Sequence, residues 1–169
     1  MKPARVAVAA ILVVAALVLQ VAIFPRLAWE GIVPNFCLLI VVAAALVRGP
    51  SFAATLGFFA GLMLDLAPPA DHVAGRWALA LVVVGFVAGL MRQDTRAAAS
   101  TVVATVAVAS FVGTSVYALT GVVLGDSVGG PGDLVRVIVV ALLWDVLLTP
   151  LVIPGVMRLL ARLEPAGAR

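Results

Sequence analysis

Two aspartates stand inside stretches that are otherwise hydrocarbon, and they have the most chemistry to offer in this chain. Asp65 closes GFFAGLMLD (57–65), and Asp145 opens WDVLLTPLVIP (144–154) after its tryptophan. An acid in an apolar helix can relay a proton, bind a substrate or cation, or serve as an internal hydrogen-bonded tie. Asp145 has a hydroxyl one turn on, at Thr149, followed by Pro150 and Pro154. A proline cannot donate to the carbonyl four residues back, so the Val146 and Pro150 carbonyls are left open beside the acid. Asp145, Thr149 and Pro150 thus form a candidate intramembrane polar site, with Ser110, Thr114, Ser115 and Tyr117 at similar depth on the preceding segment. A lone acid with neither a second acid nor a basic partner favours a tie over a transport site.

Asp65 follows Gly57 and Gly61 at four-residue steps, which keeps the three on one helix face. Pro68 and Pro69 end the helix soon afterwards, so Asp65 falls in its last turn, at the negative end of the helix dipole. Solvent, a cation or a proton should compensate, and Arg76 and Arg136 are candidate cations. A hydrated interfacial acid and a structural pair both remain open. GFVAGLM (85–91) repeats the glycine spacing at Gly85 and Gly89. Glycines four apart allow close backbone approach, the main source of helix affinity in lipid. Gly57, Gly61, Asp65, Gly85 and Gly89 are therefore a candidate helix-packing or partner interface. In antiparallel segments the two pairs fall in opposite halves of the bilayer, so different neighbours are expected for each. Gly113, Gly121 and Gly125 form a looser series.

Other chemistries lack their parts. No nucleophile–base arrangement, phosphate loop or H-E-x-x-H is present, so no catalytic or cofactor residue is assigned and an enzyme is not expected. Cys37 and His72 are the only residues of their types, which leaves no metal site of His and Cys. The pI near 10 comes without a basic stripe to hold a phosphate backbone, which argues against nucleic acid.

The elements that must position these residues are membrane spans. Of 169 residues 64% are hydrophobic and 11% charged, too little polar surface for a soluble domain. The expected fold is a single all-α domain, 1–169, a compact bundle of six transmembrane helices at about 6–24, 35–47, 51–66, 77–91, 98–124 and 134–160. The first apolar run follows Lys2 and Arg5 but is close to a full span, and no small-x-small site follows it, so it is taken as a retained helix. Spans two and three are short. A re-entrant hairpin would place Arg48 near mid-bilayer, at a cost of about 3 kcal/mol or more, so two short crossings fit better. With both termini cytoplasmic, Lys2, Arg5, Arg48, Arg92, Arg96, Arg158, Arg162 and Arg169 lie inside, and only Arg26, Arg76 and Arg136 outside, as positive-inside bias requires. Trp29 and Trp77 then sit at outer boundaries. The longest outer loop, GDSVGGPGD (125–133), has no room for a folded domain.

The order of VPNF (33–36), GFFAGLMLD (57–65), G-x-W-A-L (75–79), GFVAG (85–89) and WDVLLTPLVIP (144–154) resembles the MreD family of rod shape-determining membrane proteins over most of the chain. PPADH (68–72) and the Ala/Val-rich composition look like the version in high-GC Gram-positive bacteria. The chain departs from the pattern at Asp145, where an amide is frequent. The resemblance implies a non-enzymatic component of the plasma-membrane assembly that directs peptidoglycan synthesis. It implies binding to an MreC-like bitopic partner and, indirectly, work with an MreB-like filament, a RodA-type glycosyltransferase and a class B penicillin-binding protein. It also implies a fold similar to the substrate-binding subunits of energy-coupling transporters. Binding would then occur mainly inside the lipid bilayer, helix against helix, and association with further copies of the chain stays open. The alternative is a substrate-binding membrane subunit of a small-molecule transporter, with a cavity between spans five and six oriented by Asp145.

Overall fold

A segment such as FCLLIVVAAALV (36–47) has no polar face, and a helix built from it must sit in a protein core or in lipid. The computed structural model, which describes residues 3–29, 31–68, 73–93, 98–126 and 130–162, places it at the centre of the molecule. Lys2, His72, Arg96, Arg169 and most of PPADH lie outside the described residues. The helices are α1 (Pro3–Val18), α2 (Phe36–Arg48), α3 (Pro50–Leu66), α4 (Arg76–Leu90), α5 (Ala99–Val123) and α6 (Pro131–Arg162). Among the described residues there is no strand, only an isolated bridge between Trp29 and Ile32.

α2 is the hub. It packs against α3, α4 and α6, and less extensively against α1 and α5. Phe36 through Leu46 are all buried. Among the described residues every large exposed apolar side chain instead lies outside α2, for example Ile11, Phe59, Phe86, Phe111, Leu119 and Leu151. Apolar surface facing outward around a buried apolar centre is the pattern of a protein dissolved in lipid.

Three helical stretches are long and apolar enough to cross a bilayer, Val6–Leu27, Ala99–Val123 and Gly132–Arg162. α2, α3 and α4 have 13, 17 and 15 residues, about 20 to 25 Å at 1.5 Å per residue. α2 can be short because neighbouring helices enclose most of its length, Phe36 through Leu46.

Local sequence sets the boundaries. α1 loosens after Val18 into a π-turn (Leu19–Ile23) and a 3-10 turn (Phe24–Leu27) that contains Pro25. Asn35 caps α2, its Oδ1 accepting from Leu38 N at 2.9 Å. Gly49, at φ 83°, reverses the chain between α2 and α3, and Pro50 opens α3 where no amide donor is needed. α6 runs as one helix through Pro150 and Pro154.

Candidate functional site

Asp65 is 1% exposed, in the last turn of α3. Its Oδ2 accepts from Gly75 N at 2.8 Å and Ala78 N at 3.1 Å, and its Oδ1 from Trp77 N at 3.0 Å. These are first-turn amides of α4, which have no partner within their own helix. Gly75, the residue at the cap position, has φ 104° and no side chain to do the work. The acid at the negative end of one helix thus meets the positive end of the next. Main-chain donors thus supply part of the compensation that the position of Asp65 calls for.

Asp145 plays the same part deeper in the bundle. It is 1% exposed. Its Oδ1 accepts from Asn35 N at 2.9 Å and its Oδ2 from Ser110 Oγ at 2.7 Å. Of the hydroxyls at this depth on α5, Ser110 is the one aimed at the acid. Thr149 donates to the Asp145 carbonyl at 2.8 Å, which occupies its hydroxyl within α6. A third side chain completes the start of α2: Gln20 Oε1, in the π-turn of α1, accepts from Cys37 N at 3.4 Å. So α1, α5 and α6 meet at one buried helix end. Gln20 and Asn35 carried sequence signals that the motif reading passed over. An amide stands alone in an apolar span, and an asparagine directly precedes an apolar helix.

The four glycines share one seam. A Cβ on Gly57 would come within 3.0 Å of the Leu81 main chain, and one on Gly61 within 3.0 Å of Trp77 and Ala78. On the other helix of the pair, Gly85 lies against Ala53 and Gly89 against Pro50. The expectation of different neighbours is therefore corrected: both pairs line the α3–α4 contact, the most extensive in the molecule. The antiparallel geometry does keep them at different depths, but each pair meets the small or main-chain surface of the opposite helix. In the looser series, Gly113 faces Val84 and Leu38, and Gly121 makes room for the Arg76 guanidinium.

Arg76 is buried beside this hairpin. It pairs with Asp126, donates to the Tyr117 carbonyl at 2.9 Å and lies over the Tyr117 ring, 4.1 Å from its centroid. Trp77 stacks on the same ring at 4.3 Å. This cluster ties α4 to the far end of α5.

A groove of about 890 Å³ runs between α2, α5 and α6. Thr149 and Pro150 line it, but Asp145 does not. The Asp145 carboxylate is instead engaged by Asn35 N at the start of α2 and by Ser110 on α5. No group of three or more His, Cys, Asp or Glu is placed to hold a metal among the described residues.

Comparison with known proteins adds one finding. Residues 3–162 match the family model described as rod shape-determining protein MreD. The chain belongs to the MreD family. No curated protein and no solved structure matches it significantly. MreD proteins are membrane proteins of cell-shape determination and not a known enzyme family.

Proposed function

We propose that this protein is a non-enzymatic scaffold of the wall-elongation assembly, crossing the plasma membrane six times with both termini in the cytoplasm. It binds an MreC-like bitopic partner and through it helps organise a RodA-type glycosyltransferase, a class B penicillin-binding protein and an MreB-like filament. The observation that carries this reading is the use made of the buried polar groups. Asp65, Asp145, Gln20 and Asn35 each satisfy a helix start, so the interior offers rigidity rather than reactivity. What is left for recognition is the apolar exterior, where shape and packing govern association in lipid. Membership of a shape-determining family supports it independently.

The test is depletion and capture in the host. Loss of the protein is expected to round rod-shaped cells, and a tagged copy is expected to co-isolate an MreC-like single-span protein from detergent extracts. Unchanged cell shape together with no such partner would count decisively against the proposal. The small-molecule alternative has the groove in its favour, but its anchoring acid is engaged elsewhere. It would be revived by a polar ligand that survives purification.

A further inference from the structure

The groove sits at the end of the bundle where α2, α4 and α6 finish and α5 begins. Its walls are apolar: Leu46 from α2, Val102 and Val103 from α5, and Val146, Ile153 and Met157 from α6. Val103, Leu147, Pro150 and Pro154 on its rim are exposed, so it opens toward the surroundings of the bundle. Three lining residues carry polar side chains able to recognise a ligand, namely Gln93, Thr149 and Arg158. The Thr149 hydroxyl is already spent on Asp145. That leaves Gln93, just past α4, and Arg158, one turn from the end of α6, both at the same mouth.

Length and charge then define the occupant. Along α6 the lining runs from Val146 to Ala161, about 22 Å at 1.5 Å per residue. That is half of the ~40–45 Å bilayer with its headgroups, so the groove covers one leaflet from near the midplane to the interface. The volume lies within the ~300–1,000 Å³ of sites for small organic molecules. Yet a polar solute needs convergent polar groups inside, and here they stand only at the mouth. A partner's apolar helix would leave Arg158 without a counter-charge. Among the described residues no carboxylate pairs with Arg158.

We propose that this groove is a binding site for an anionic phospholipid of the adjacent leaflet. Its acyl chain lies along α5 and α6, and its phosphate is held by Arg158 with Gln93 beside it. Arginine suits a phosphate oxygen pair through its forked donors. The lipid would fill the gap between the α5 start and the α6 end. The assignment uses the proposed topology only to name the leaflet as cytoplasmic and does not depend on the partner.

Native mass spectrometry of the full chain released from detergent tests it, with dioleoyl phosphatidylglycerol and dioleoyl phosphatidylcholine as probes. Wild type is expected to retain phosphatidylglycerol at least fivefold better than phosphatidylcholine. Arg158→Gln is expected to abolish that preference, Arg158→Lys to retain part of it, and Arg162→Gln, outside the groove, to leave it unchanged. Val103→Trp, at an exposed position, should fill the groove and remove both lipids while the protein still elutes as a single species. Equal retention of the two lipids by wild type, or an unaltered preference in Arg158→Gln, overturns the proposal. So does a photo-crosslinker at position 103 that captures a protein instead of lipid in native membranes.

Discussion

The two buried acids do the same job with different tolerance for change. Among the described residues, the Gly75 and Ala78 amides donate to Asp65 Oδ2 and the Trp77 amide to Oδ1. Asp65→Asn can keep its oxygen on the Gly75 and Ala78 side but turns a donor toward Trp77 N. Asp65→Ala leaves all three amides without this acceptor, at about 1–3 kcal/mol, and Asn should cost less than half of that. Thermal unfolding of the purified protein in detergent, followed by tryptophan fluorescence, would rank the three. Asp145 receives one amide and one hydroxyl. A hydroxyl can turn from donor to acceptor, so Asp145→Asn keeps both bonds and should unfold within about 0.5 kcal/mol of wild type. Asp145→Leu strands the buried Asn35 amide and should cost about 1–3 kcal/mol or more. Equal losses for Asn and Leu would show that the charge matters more than the acceptor.

At the scale of elements, the α3–α4 hairpin depends on the absence of side chains. Alanine normally gains about 1 kcal/mol over glycine inside a helix. At Gly57 that gain is outweighed, because the new methyl meets the Leu81 main chain, and overpacking costs about 1–3 kcal/mol. At Gly155 in α6 a Cβ meets nothing within 4 Å, so Gly155→Ala should be neutral or stabilising. Opposite signs for the same substitution, read in one melting assay, check the seam. Gly61→Leu belongs with Gly57: it is expected to break the hairpin before it affects any partner. The spacing of these glycines was legible in the sequence, since GxxxG needs only counting. Their common partner was not, because depth arguments say where a residue lies along a helix but not around it. The Asp65 cap was hidden for a related reason. The usual capping signal sits immediately before the helix, and here that place holds Gly75 while the acid comes from the end of the preceding helix.

For the molecule as a whole, the apolar runs and their proline and glycine breaks revealed an all-helical membrane protein. They could not reveal that α2 is enclosed, because a buried helix and a lipid-facing one share a composition. The six-span orientation can be checked with single cysteines in a Cys37→Ala background. Gln93→Cys and Arg162→Cys should react with an impermeant maleimide only after the cells are opened. Gly130→Cys should react in intact cells. Labelling of Gln93→Cys from outside would remove the six-span arrangement.

The bond between the Asn35 amide and Asp145 joins residues 110 positions apart, whereas Asp65 finds its donors within 13. As the ribosome delivers the chain, the hairpin can close as soon as α4 emerges. The central helix must wait, its first amide unanswered, until the last span leaves the translocon. Biogenesis therefore runs from the middle of the polypeptide outward, and the piece at the heart of the finished protein is among the last to be secured.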